Sequence, residues 1–360
     1  MPRAGFTLAL LALLVGACAP TNSTGTLPVE VLVVLDSTSS NLALVPVDSG
    51  QVEGVVPLGT LDFVPRFVAA RGKVAVVAGT NPQTLAGGVA IVDLETRVVT
   101  TRQLSLGKVA AVTMSEDDVA YVASWSTGIV SRINVRTGEL VVINAPGGPQ
   151  GLTATRGKVF AAISNRQGCD VDPVGCGRGP SWLLQVEPGL PRDSIPLSGP
   201  GNAGPIATGA DGNVYVLVAG YALAGGVGRL DVIDAVRSVE VASFARVGPV
   251  EPAWITSDGF ERVLFVSEPG GLMVFNTRER RLSRPFGNGI PLTFPAELTN
   301  DALGRAYVVE RGGCSASAPG RVRVFSPGLV ERPQIAVGPC PVAAALAEVA
   351  ADRLFNWTID

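Results

Sequence analysis

The residues with most chemical capacity in this chain are five cysteines and a scatter of carboxylates; histidine is absent from all 360 positions. That absence removes the Ser-His-Asp triad, the Cys-His dyad, histidine-ligated zinc and histidine-held haem, each of which needs an imidazole. Cys169, Cys176, Cys314 and Cys340 form an even set downstream of a fifth, Cys18. In an exported chain an even set reads as two disulfides, for which three pairings exist. Their spacings are unlike those of zinc ligands. Glu251, Glu268, Glu297 and Glu310 group with Asp36, Arg66, Trp125 and Asn165, because the repeat described next puts all of them near one end of a common axis. Oxygen ligands around such a rim could hold Ca²⁺. No motif specifies that ion, and no cofactor is implied.

Composition narrows the field. About half of the chain is apolar and 16% is charged, so it can bury a large core. The formal net charge is −3, and the densest basic run is Arg278-Glu279-Arg280-Arg281. A nucleic-acid partner requires a clustered positive face, which is not visible here.

The first residues read MPRAGFTLALLALLVGAC. Arg3 supplies a positive start, and Phe6 to Val15 form an apolar stretch too short to span a bilayer. Val15-Gly16-Ala17-Cys18 then resembles the bacterial lipobox, which implies cleavage before Cys18 and a diacylglyceryl thioether on its sulfur. Two or three acyl chains give stable anchoring where one is marginal. Residues 1–17 are therefore expected to be a lipoprotein signal peptide, and 18–28 a lipidated, small and polar tether. The rest, 29–360, would face the periplasm or the exterior from the cell membrane or the outer membrane. The other reading is an ordinary signal cut at an A-x-A site.

From Val29 onward one pattern recurs, with successive copies roughly 40–55 residues apart. An apolar run such as Lys73–Ala78, Asp118–Ala123, Asn213–Val218 or Arg262–Ser267 leads to a glycine. A second run then ends in Asp or Asn with Thr or Gly, as in Gly88–Thr96 and Gly128–Gly138. This spacing suits blades of four strands, labelled A to D outward from an axis. The B run is buried on both faces and need not alternate. The glycine eases a tight turn. The Asx side chain makes the C–D turn. Inner A strands are expected near Val64, Val109, Gly151, Gly204, Pro252, Phe294 and Val342, and B strands near Val31, Val74, Val119, Val159, Val214, Val263 and Ala306. The fold class is thus all-β, a seven-bladed β-propeller with four-stranded antiparallel blades. The N-terminal segment lacks an A strand and the C-terminal Val342–Val349 lacks a blade, so the last strand should close the first blade. Asp352–Trp357 resembles a further B strand.

The runs GVAIVDLET at 88–96 and GRLDVID at 228–234 resemble the YVTN family of propellers. That resemblance implies a fold used by surface-layer proteins, periplasmic binding scaffolds and subunits of redox enzymes.

Long insertions are expected on one face, in the B–C loops Gly79–Gly87, Asn165–Pro180, Ala219–Val227 and Arg311–Pro319; A–B turns such as Arg71-Gly72 are short. The same topology makes 169–176 and 314–340 reasonable disulfide pairs. One-sided insertions mark the binding face of a repeat protein. The expected function is a non-enzymatic, membrane-tethered binding scaffold of the cell envelope, taking a ligand or protein partner on that face. The alternative is a divalent-metal-dependent lactonase-like hydrolase of the gluconolactonase propeller type.

Overall fold

A computed structural model describes residues 27–104, 107–115, 118–165, 180–186, 194–200, 202–219, 228–248 and 254–355. In chain order the strands are β1 (Pro28–Asp36), β2 (Asn41–Pro46), β3 (Gly54–Pro57), β4 (Val64–Arg71), β5 (Val74–Thr80), β6 (Gly87–Asp93), β7 (Val99–Leu104), β8 (Val109–Met114), β9 (Val119–Ser124), β10 (Ile129–Asn134), β11 (Leu140–Asn144), β12 (Pro149–Thr155), β13 (Lys158–Ile163) and β14 (Pro180–Gln185). They continue with β15 (Ser194–Pro200), β16 (Asn202–Thr208), β17 (Asn213–Ala219), β18 (Gly228–Asp234), β19 (Val239–Gly248), β20 (Trp254–Ser257), β21 (Arg262–Ser267), β22 (Gly271–Asn276), β23 (Arg281–Arg284), β24 (Pro295–Asn300), β25 (Ala306–Glu310), β26 (Arg321–Phe325), β27 (Glu331–Ala336) and β28 (Pro341–Ala350).

These form seven four-stranded antiparallel sheets, a β-propeller. Blade 1 is β28-β1-β2-β3, and blades 2 to 7 take the remaining strands four at a time. Each inner strand lies beside the inner strands of the blades before and after it, and β24 and β4 both flank β28, which closes the ring. The C-terminal strand pairs with β1 along its full length, from Pro28 opposite Ala350 to Asp36 opposite Pro341. No open sheet edge faces the axis at the seam.

The continuous apolar B runs have a clear cause. Successive side chains of a strand point to opposite faces, and in a ring both faces meet another blade. Val31, Val33 and Leu35 of β1 enter the cluster shared with blade 2. Leu32 and Val34 enter the cluster shared with blade 7. All five are at most 1% exposed. The same division recurs at every junction, so the core is a set of wedges between blades.

The turns follow the sequence reading. Oδ1 of Asp93 accepts the N–H groups of Glu95 and Thr96, and Asn134 and Asp234 do the same for the residues two and three ahead. Gly128 and Gly271 turn into their C strands at φ 64° and 67°. Gly88 serves differently: the Phe63 ring lies where its Cβ would be, 2.2 Å from Cδ1. Gly88→Ala should therefore lower stability by about 1–3 kcal/mol through overpacking. Part should return when Phe63→Leu is added. Thermal unfolding of the three chains checks this, and an unchanged midpoint in Gly88→Ala would refute the packing role.

One expectation needs correction. Residues 351–355 form a short helix, α1 (Ala351–Phe355), rather than the start of another B strand. The inner position of blade 1 is already filled by β28, so a further strand has no edge to join. Leu354 instead turns inward, 1% exposed, onto the blade 1–blade 2 cluster.

Cys314 and Cys340 are joined in a disulfide that links the β25–β26 loop to the segment entering β28. Cys18, Cys169 and Cys176 lie outside the described residues, as do most of the loops expected at Asn165–Pro180 and Ala219–Val227. The described long B–C insertions run between Thr80 and Gly87 and between Glu310 and Arg321, on the face where the D–A connections also emerge.

Candidate functional site

The inner strands of five blades share an irregularity near their first residues. A β-bulge falls between Pro65 and Phe67, Val109 and Ala111, Pro149 and Gly151, and Pro295 and Glu297, and β1 slips by one residue against Pro341–Ala343. Bulges bend a strand and re-aim the side chain that follows. The residues just past the slip, each opposite the penultimate residue or nearby end of its B strand, are Phe67, Ala111, Gly151, Glu297 and Ala343. Trp254 holds the matching place in blade 6, opposite Val266. One tier of the channel mouth is thus aromatic, alanine or glycine everywhere in this set except at Glu297.

Phe67 and Trp254 stack at 6.4 Å between ring centroids with planes 26° apart. They belong to blades 2 and 6, which are not ring neighbours, so the pair crosses the axis and floors the mouth. Above it lies a cavity of about 280 Å³. Its walls are Pro295, Ala296 and Val342, and its polar groups come from Arg66, Glu268, Glu297 and Arg311. Phe294 borders it with φ 49°, a conformation costly for a bulky residue. It is held there by the Arg311 N–H, which donates to the Phe294 carbonyl at 3.1 Å.

The electrostatics of the cavity are uneven. Glu297 is 4% exposed. Loss of hydration holds its carboxyl well above the ordinary glutamate range, against a single opposing hydrogen bond from the Ala344 N–H of the next blade. Arg66, Glu268 and Arg311 are exposed at the rim. Neither guanidinium has a carboxylate partner within salt-bridge distance among the described residues.

The structure brings together Arg66, Glu268 and Glu297 of the residues singled out in the sequence. It sends others elsewhere. Glu310 is 2% exposed and turns into its blade, accepting from Arg321 Nε at 2.6 Å, Arg323 Nη1 at 3.3 Å and the Thr293 N–H at 2.8 Å. Asp36 accepts N–H groups of Thr38, Ser39 and Cys340, knitting the seam. Asn165 donates to the Pro180 carbonyl across its loop. Trp125 lies beneath the Lys108 ammonium, 5.5 Å from the ring centre, away from the cavity. Glu251 lies outside the described residues. Asp301 is an A–B turn hub, accepting N–H groups of Leu303 and Arg305 and the Tyr307 hydroxyl. Among the described residues no group of three or more His, Cys, Asp or Glu side chains could hold a metal ion.

Phe67, Trp254 and Arg311 were not evident in the sequence. Arg311 follows Glu310, and the alternation of a strand puts consecutive side chains on opposite sides. The usable signal for the tier was the proline that opens inner strands at Pro65, Pro149, Pro295 and Pro341.

The opposite mouth has a cavity of about 520 Å³ bordered by Glu30, Arg71, Asp118 and Glu348. Glu30 there is raised above the usual carboxylate range by partial burial, while accepting the Ala302 N–H. Its walls are inner-strand ends and short A–B turns, without an aromatic floor.

No protein-family model matches the chain, and no curated protein does. Solved structures do. A functionally unknown protein from Desulfotomaculum acetoxidans aligns at TM-score 0.61 and 12% identity, over 88% of this chain and 98% of that one. Apo AztD from Citrobacter koseri aligns at 0.58 and 10%, over 89% and 98%. Virginiamycin B lyase from Staphylococcus aureus aligns at 0.56 and 14%, over 77% and 86%. At these identities the likeness is one of fold, which serves unrelated functions.

Proposed function

We propose that the chain is a non-enzymatic binding propeller of the cell envelope, tethered to a membrane through Cys18, that takes its ligand or partner at the channel mouth on the B–C loop face. The observation that carries the reading is the convergence at this mouth. Arg66 of blade 2, Glu268 of blade 6, and Glu297 and Arg311 of blade 7 border one cavity over a crossed aromatic pair. Concave sites with an apolar body and a few placed polar groups are the usual form of a ligand site. The tether rests on Val15-Gly16-Ala17-Cys18 and on the small, polar residues that follow it.

Retention from intact envelopes tests the proposal. Chains in which the four B–C segments 80–86, 165–180, 219–227 and 311–319 are exchanged for short turns should lose the partners that the native chain retains. If every partner stays bound, the face has been assigned wrongly. Cys18→Ser should also move the protein from the membrane fraction to the soluble one; retention in the membrane would contradict the tether.

A further inference from the structure

We propose that the channel-mouth cavity binds a small organic anion with an aromatic or planar apolar body, its anionic group held between Arg66 and Arg311 and beside Glu297. This deepens the binding reading above and rests on it.

Three observations converge. First, the ring comparison shows that blade structure does not require a carboxyl at position 297: Phe67, Ala111, Gly151, Trp254 and Ala343 fill corresponding places without one. Second, Glu297 accepts from the Ala344 N–H and borders the cavity while only 4% exposed. In its neutral form the group would offer a cavity ligand an O–H donor as well as an acceptor. Third, the two rim guanidinium groups lack carboxylate partners among the described residues, and an arginine fork suits a carboxylate or phosphonate. The floor is the stacked pair Phe67–Trp254, with Phe294 at the edge, which offers π faces to a flat ligand. A cation would meet two guanidinium groups and one exposed carboxylate, Glu268, and a neutral ligand would leave the arginines unused.

Cinnamate is a suitable probe, compared with cinnamyl alcohol, which keeps the body without the charge, and acetate, which keeps the charge without the ring. Titration of the full-length protein followed by Trp fluorescence and calorimetry should give a Kd for cinnamate below about 1 mM, at least about tenfold tighter than for either comparator. Arg66→Gln and Arg311→Gln should each weaken cinnamate about tenfold, while Arg332→Gln on the outer strand β27 leaves it unchanged. Affinity of the native chain should fall as pH rises and Glu297 ionises beside the anion, and Glu297→Gln, which keeps a donor but cannot ionise, should flatten that profile. Equal binding of cinnamate and cinnamyl alcohol, unaltered affinity in both arginine variants, or no binding of any probe would overturn the proposal. In that event, continued loss of envelope partners on loop exchange would show that the face is right and only its ligand chemistry wrong.

Discussion

Replacing Glu297 by Gln should make the protein more stable at neutral pH and leave it unchanged in acid. The native carboxyl is buried with one hydrogen bond, and desolvation favours its protonated form in the folded state. A folded-state pKa above the unfolded value means that the native chain binds more protons in the interval between them. Stability then falls as pH rises from the ordinary glutamate value of 4.5 through the folded value. Below that interval both states are protonated and the penalty is absent. Glutamine keeps the acceptor for Ala344 and never ionises. The variant should thus gain about 1–3 kcal/mol above the interval, the scale on which an uncompensated buried polar or charged group alters stability. Asp231, which burial pushes up to about 6 despite hydrogen bonds from Ser243 and Arg229, slopes in the same sense. It is common to both proteins and cancels in the difference. Denaturant titrations of the pair from acid to mild alkali give the curve directly. A constant difference across pH, or a loss at neutral pH, would show that Glu297 is ionised and paired in the native state. Retaining a residue that costs stability where neighbouring blades use Ala, Gly or an aromatic is what a binding site requires.

A chain ending at Gly338 should fail to fold cooperatively. It lacks β28, whose Ala343, Ala344, Ala347 and Val349 are at most 2% exposed, and it strips the inner edge of β1 of its ladder from Val29 to Leu35. Whole-domain stabilities of about 5–15 kcal/mol cannot absorb that loss. The Cys314–Cys340 bridge reinforces the same seam, and Cys340→Ser alone should cost about 2–4 kcal/mol. A permutant separates loss of the strand from loss of chain length. Pro28 pairs with Ala350, so residue 355 can be joined to residue 28 through a short Gly-Ser linker and the ring opened at Gly59-Thr60. The permutant should unfold near the native midpoint, whereas the truncated chain shows no transition. A truncated chain that melts like the native one would mean that blade 1 does not depend on the C-terminal strand.

How much of this was legible in the sequence depends on what each signal encodes. The B runs announced themselves because burial between two blades removes any need for polar residues on either face. The turn Asp and Asn residues announced themselves because their side chains bond locally. Closure followed from counting, since a ring of complete blades needs one inner strand from the C-terminus. Residues 351–355 misled because apolar alternation does not say whether a sheet edge remains free. At the site, Arg66, Glu268 and Glu297 were reached by asking which residues end B strands or begin A strands. Glu310 met the same condition and turned the other way, because a single residue of register reverses direction. Phe67 and Trp254 were hidden, since each also packs against an inter-blade cluster, as any aromatic near the start of an inner strand would. The stacking of the two rings from blades 2 and 6 is a property of the closed ring, which no single strand encodes.

The account turns on the channel mouth being where this protein meets its ligand or partner. A photoreactive amino acid placed singly at positions 66, 268 and 311, and for comparison at 53, 97 and 280 on other surfaces, tests that in the native envelope by intact-mass analysis after irradiation. The mouth positions should each capture the same discrete adduct, and the comparison positions none. Adducts formed from the comparison positions while the mouth stays silent would contradict it.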